Sequence, residues 1–417
     1  MSSKSKISFF IFLLFFTSGI FAQSKKITKK PVNADSLAQC EKESNERDLI
    51  DIYRIILKKK PPVEKCEPSK KAGNLHLAIL PAIGYSSVTK LAGVVAGNGA
   101  FYTDNEPTTK LSSVNTSVSY TQRNQIIIPI LSNIWTTKNM YNLLGDWRYY
   151  KYPEYTYGLG GHTRAATNSN QLNYSNIIIH EAVLKHIGAS SFYAGLAYNL
   201  DYHWAITEGN NADGQISDFK KYGLTKNSVS SGISVNALYD SRKNSINPRE
   251  DAVYGNIAFC PNFTFLGSDH NYQSLVIDLR KYFKVGKKDN VLAFWNYNWF
   301  TFNGNVPYLD LPSTAWDPYS NMGRGYIQSR FRGKNLLYLE AEYRFGITQN
   351  DLFGGVVFAN AQTVTDWPSN KFQTIYPAAG AGLRIKINKH SNINLAIDYA
   401  FGLDGSRGIF INLGEVF

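Results

Sequence analysis

The sequence predicts an all-β protein: a closed antiparallel transmembrane β-barrel of about sixteen strands with a short N-terminal extension. Three observations carry this. From residue 74 onward apolar and polar residues alternate with a period of two. The alternating stretches are longer than the strands of soluble sheets, which average roughly 5–6 residues. The chain also begins with the residue order of an export signal.

That signal is the first element. Lys4 and Lys6 precede an apolar run from Ile7 to Phe21, and Ala22 offers a small residue before Gln23. Charged, apolar, then small is the order of a secretory signal peptide, so residues 1–22 are expected to direct export. Beyond Ala22 no apolar stretch approaches the roughly 18–20 residues a spanning helix requires. Aromatic residues make up 14% of the chain, including 27 Tyr and 24 Phe, which suits belts at two membrane interfaces. An exported all-β binding protein would share this composition, so the pattern along the chain must decide. The formal charge of +12 is spread along the sequence. Outside the cytoplasm it excludes nucleic acid as a partner and leaves a solvated basic tail, anionic lipid or an acidic partner.

Residues 23–73 read as a separate, Lys-rich periplasmic extension. Ser36 to Cys40 suit a helical turn. Arg47 to Leu57 suit a helix with Leu49, Ile52, Tyr53 and Ile56 on one face, ended by Lys58-Lys59-Lys60 and Pro61-Pro62. Such a helix is expected at the barrel mouth, and its entry into the lumen as a plug is a hypothesis. Cys40 and Cys66 are candidates for a disulfide in an oxidising compartment, whereas Cys260 stands alone in a strand-like stretch. The seven His form no metal-binding pattern.

Residues 74–417 are expected to form the barrel. In 192–204, Phe192, Leu196, Tyr198 and Trp204 share a face opposite Asn199, Asp201 and His203. In 275–285, Leu275, Ile277 and Phe283 oppose Asp278, Arg280 and Lys284. In 392–404, Ile393, Leu395, Ile397 and Tyr399 oppose Asn394 and Asp398. One face meets oil and the other water. In hydrocarbon a free sheet edge would leave backbone groups unpaired, so the sheet is expected to close. The alternation marks strands at 74–86, 91–103, 111–123, 124–136, 140–152, 170–187, 190–207 and 225–240. It continues at 249–265, 270–286, 289–303, 334–346, 351–364, 376–388, 392–404 and 407–417. The longest linkers, 153–169, 208–224, 304–333 and 365–375, all fall on the outer side, as long outer loops and short inner turns require. Pro81 lies in the first strand, where a missing donor suits an edge or a bulge. The last strand ends at Phe417, and these two ends are expected to meet at the barrel seam.

The chemistry concentrates in residues 322–345, MGRGYIQSRFRGKNLLYLEAEYRF. Glu340, Glu342 and Arg344 share the wet face of strand 334–346, and Arg324 on the preceding loop can pair with Glu342 through the two-pronged geometry of a guanidinium. Together with Asp240-Ser-Arg242-Lys-Asn244, then Pro248 and Tyr254, this block resembles the BamA/TamA outer-membrane family, also called the bacterial surface antigen family. The resemblance implies a sixteen-stranded barrel whose longest loop folds inward with Arg324, Gly325 and Tyr326 at its tip. It implies Glu342 as the partner of that tip, and it places Asn360 where the family usually has a second, acidic partner. It also implies a turn near mid-barrel built from Asp240, Arg242, Asn244 and Pro248, with Asp251 where Gly is common. The family's periplasmic POTRA repeats do not fit into residues 23–73.

The resulting expectation is a non-enzymatic outer-membrane barrel that assists insertion or passage of proteins or lipids; a passive pore or surface receptor is the alternative. Outer-membrane lipid is the expected partner, with other outer-membrane proteins or a periplasmic protein as candidates, and no cofactor is implied. No hydrolase elbow or phosphate-binding loop is present in the sequence.

Overall fold

The computed structural model describes residues 45–58, 72–73 and 75–417, apart from 87–89, 107, 164, 166–167, 210–213, 215, 224, 287–288 and 390. The signal segment, the turn at Ser36 to Cys40, and Cys40 and Cys66 lie outside the described residues.

The chain folds into one antiparallel sheet of 17 strands. In order these are β1 (His76–Ser86), β2 (Lys90–Phe101), β3 (Ser112–Thr121), β4 (Ile126–Trp135), β5 (Tyr141–Thr156) and β6 (Asn170–Ile187). There follow β7 (Phe192–Glu208), β8 (Ser228–Asp240), β9 (Ala252–Asn262), β10 (Tyr272–Val285), β11 (Asn290–Phe302) and β12 (Asn335–Gly346). The last are β13 (Phe353–Asp366), β14 (Lys371–Phe372), β15 (Tyr376–Asn388), β16 (Ile393–Gly402) and β17 (Arg407–Leu413). Each long strand pairs with its successor in sequence, and β13 pairs with both β14 and β15. The count exceeds the expected sixteen because the two-residue β14 extends β13 as a small hairpin within a loop. Residue registers join β1 to β2 and β17 to β16, and none joins β1 to β17 among the described residues. Pro81 thus sits in a strand that is laddered on one side, opposite Val95.

The two faces of this sheet invert the rule for water-soluble proteins. The exposed face carries Leu77, Val95, Val118, Val183, Leu196, Val235, Leu339 and Ile409. The enclosed face carries Asn142, Asn176, Glu340, Glu342, Arg344, Arg384 and Asp398, all buried. Charged groups are rarely buried unless paired, and a wall with apolar residues outward and charges inward is built for lipid outside and a polar lumen within. Ile393 departs from the expected pattern. It is buried at the inner end with Ala78, Ala100, Leu111, Ile246 and Ile387. This cluster joins β1 and β2 to β15 and β16, so side chains bring the two ends of the sheet together where no ladder does.

The end of the chain requires a correction. Strand pairing was expected to run to Phe417, yet β17 stops at Leu413. Gly414, at φ +95°, turns the tail inward, a conformation that favours glycine. Phe417 is 3% exposed and packs 5.3 Å from the Trp295 ring and 6.3 Å from Tyr282, so it lies in the lumen and not at a strand edge.

A helix, α1 (Leu49–Ile56), docks at the inner end. Asp48 caps it by accepting from Asp51 N at 2.8 Å. Its orientation is the reverse of that suggested by its apolar stripe. Glu46, Asp48 and Asp51 face the sheet, where Lys386 Nζ reaches Glu46 at 2.5 Å and Lys389 Nζ reaches Asp51 at 3.2 Å. Tyr53 and Ile56 are left exposed, and Leu49 packs on the inner apolar cluster. Two buried lysines on β15 and its following turn outweigh the stripe, because unpaired buried charge is the costlier alternative.

Inner turns are tied to each other. The β8–β9 turn 241–251 reaches the β15–β16 turn through Asn244 Nδ2, which donates to Ser391 O at 3.0 Å, and Asn247 Nδ2, which donates to Asn392 O at 3.1 Å. Arg249 adds ion pairs to Asp351 at 2.8 Å and Asp289 at 3.8 Å, on two further turns.

Candidate functional site

The longest loop, 303–334 between β11 and β12, does not extend into solvent. Leu311, Ser313, Thr314, Met322, Arg324, Phe331 and Arg332 are all buried. Gly323 and Gly325 take φ +82° and +105° at its tip, and a Cβ on Gly325 would lie 2.6 Å from the Ala378 Cβ. Glycine is therefore needed here for both backbone and space.

The tip delivers Arg324 to a cage of acids. Arg324 Nη2 donates to Glu340 Oε1 and Glu342 Oε1 on β12, while Nη1 donates to Asp398 Oδ2 on β16 at 2.5 Å. The guanidinium carbon sits 3.6 Å from the centroid of the Phe358 ring, adding a cation–π contact. Further arginines balance the acids. Arg344 Nε donates to Glu342 Oε2 at 2.8 Å, and Arg384 reaches Asp398 Oδ1 at 2.5 Å and Glu415 Oε2 at 2.7 Å. Tyr338 OH donates to Glu340. A cation this deep is tolerable only because paired, hydrogen-bonded partners replace its water.

Expected and observed partners overlap without being identical. Arg324, Gly325, Tyr326 and Glu342 are brought together. Asn360, which stands where the family usually has a second acid, donates through Nδ2 to the Arg324 carbonyl at 2.9 Å. Asp398, one strand beyond β15, supplies the acid that position 360 lacks. Its signal in the sequence was a charge on the wet face of 392–404, but period alone cannot say which wet-face charges meet. Tyr326 fixes the tip to the outer rim: its hydroxyl donates to Pro377 O at 2.6 Å and accepts from Leu403 N at 3.0 Å.

The turn motif lies on the inner side, away from this cage. Arg242 donates from Nε and Nη2 to the two carboxylate oxygens of Asp240, each at 3.0 Å. Asn244 Oδ1 accepts from Ile246 N at 2.8 Å, and Pro248 is buried in the same turn. Asp251 is exposed and accepts from Lys284 N at 3.0 Å. Lys110, just before β3, contacts Asp240 at 4.0 Å and lies 4.2 Å from the Trp135 ring centroid. Burial pulls the Lys110 ammonium down to about 8, against the opposing pull of Asp240. Cys260 is buried and accepts from Asn199 Nδ2 at 3.3 Å.

A sheet with lipid-compatible exterior, charged interior and inward arginine loop defines a class, the outer-membrane β-barrels of bacteria. The Omp85 superfamily domain matches residues 154–417, and the chain belongs to that superfamily. No POTRA repeat is evident among the described residues. The fold is similar to CdiB from Acinetobacter baumannii, at 13% identity and TM-score 0.51, over 82% of this chain and 60% of that one. BamA from Haemophilus ducreyi lacking POTRA domains 1–3 aligns at 14% identity and TM-score 0.49, over 90% of this chain and 80% of that one. OccK11 (OpdR) of Pseudomonas aeruginosa aligns at 9% identity and TM-score 0.32, over 82% of this chain and 95% of that one. No curated protein sequence matches the chain.

Proposed function

We propose that this chain is a non-enzymatic Omp85 barrel that helps proteins or lipids enter or cross the outer membrane. On this reading residues 1–22 direct export, 23–73 form a periplasmic extension, and 74–417 form a barrel closed between β1 and β17. One observation supports it above the others: loop 303–334 lies buried across the lumen, while the two end strands of the sheet share no register among the described residues. A lumen blocked by an anchored loop, beside a seam with few backbone bonds, favours handling at the wall over passage down the axis. Arg324 with Glu342, Glu340 and Asp398 is the anchor, and Pro81 lies in one of the seam strands. The partner is outer-membrane lipid, with other outer-membrane proteins or a periplasmic protein as further candidates.

Depletion of the protein followed by quantification of outer-membrane proteins and lipids tests the role. A specific loss of some of them is expected, and an unchanged envelope would reject the reading. Covalent locking of β1 to β17 is expected to abolish that role, and full activity of the locked protein would exclude work at the seam.

A second reading, a passive pore or receptor, draws support from a cavity of about 260 Å³ whose lining mixes Asn133, Asn142, Asn199 and Asn236 with apolar side chains such as Leu144, Leu238 and Phe417. Sustained single-channel conductance by the purified wild-type chain, with no envelope defect on depletion, would favour it.

A further inference from the structure

Arg324 and Tyr326 fix the tip of the loop to the β12–β16 side of the wall, and a loop held on one side can swing. A second buried ion pair stands on a distant part of the wall. Arg332 is fully buried and Glu154, near the outer end of β5, is 1% exposed. Arg332 Nη2 donates to Glu154 Oε1 at 3.2 Å. Its Nη1 donates to the carbonyls of Tyr308 at 2.9 Å and Leu309 at 3.1 Å. One guanidinium thus joins the entry limb of the loop, the return limb and the wall. Glu154 is saturated from both sides: Tyr174 OH donates to it from β6, and Ser329 Oγ and Trp316 Nε1 donate from the loop. The backbone adds a bridge, Gly160 N to Arg332 O at 2.7 Å. Strands β6 to β11 separate β5 from β12, which carries two acids of the Arg324 cage.

We propose that Arg332 and Glu154 form a second latch, so that loop 303–334 spans the lumen as a crossbar fixed at two walls, and that neither latch alone decides whether the lumen is blocked. The inference holds whatever the barrel handles, so it can fail without affecting the proposed function. Asp310, which accepts from Ser230 Oγ at 2.5 Å, steadies only the entry limb.

The test is single-channel conductance of the purified full chain in planar bilayers. Four proteins are compared: wild type, Arg324→Ala, the latch variant Glu154→Gln/Arg332→Gln, and the combination of all three changes. Heat-modifiable migration on gels shows which are folded. The latch variant replaces both charges together, since an acid or arginine left alone would be a buried unpaired charge. A small rise in conductance is expected for Arg324→Ala and for the latch variant, with a rise several-fold larger than either in the combination. An impermeant thiol reagent gives a second readout on Ser313→Cys in a background lacking the native cysteines. Ser313 is fully buried in the seated loop and is expected to react only in the combination. If Arg324→Ala alone opens the lumen as far as the combination does, the second latch does not exist. If the combination conducts and labels like wild type, the loop is held by something else. Should the latch variant fail to fold, Arg332→Lys in the Arg324→Ala background replaces it. A lysine keeps the charge for Glu154 but cannot bridge both carbonyls as well, so an intermediate conductance is expected, and conductance equal to Arg324→Ala would overturn the proposal.

Discussion

At the scale of single residues, the lumen shows how few side chains can hold an irregular segment inside a wall. Arg324 meets three carboxylates and an aromatic face, so removing it strands acids in a buried site. Arg324→Ala is expected to lower stability by about 3–5 kcal/mol, read as a fall in the unfolding temperature in detergent. Arg324→Lys should recover little of it, because an ammonium cannot reproduce the planar fork; full recovery would mean that charge alone matters. Lys110 offers a titration. Its ammonium is held near 8, below the unfolded value of roughly 10.4. The unfolded chain therefore binds the extra proton between these values, and stability should rise as pH climbs from about 8 toward 10.4. Below about 8 the penalty of the buried charge is present in full. Lys110→Met should flatten this part of the pH profile, and an unchanged slope would assign it to another group.

The elements carry a different lesson, that backbone geometry and charge override local stripes. Gly325→Ala forces a side chain into φ +105° against Ala378, and a loss of about 1–3 kcal/mol is expected in thermal unfolding. Helix α1 is held by its acidic side, so Lys386→Gln should loosen it. Faster tryptic cleavage after Arg54 or Lys58 is the expected sign, and unaltered protection would show that Leu49 packing suffices. Strands were legible in the sequence because an oil-facing wall imposes a strict period of two: β6, β7, β10 and β12 lie almost where alternation put them. The direction of α1 was not legible, since its choice depends on lysines more than three hundred residues away. The C-terminal strand was misjudged for a similar reason. Ile409 and Ile411 keep the period, but Gly414 ends it, and a composition scan gives a lone glycine no such weight.

For the molecule as a whole, the family's loop and acidic strand could be read from Arg324 and Glu342, while the contacts of Asp398 and Glu154 could not, because the folding of the sheet brings them in from far along the chain. The inside-out distribution of charge predicts that the folded chain needs detergent or lipid. Monodisperse, folded protein in plain buffer would contradict the assignment to the outer membrane.

The ties among the inner turns have a mechanical result. Segment 241–251 ties the turns that follow β10, β12 and β15 to one another along an arc of the lower rim. A wall bound along one rim splays more readily at the other. Any widening of this wall should therefore begin near the cell surface and die out toward the periplasm, and spin-label distances across the two rims would register that taper directly.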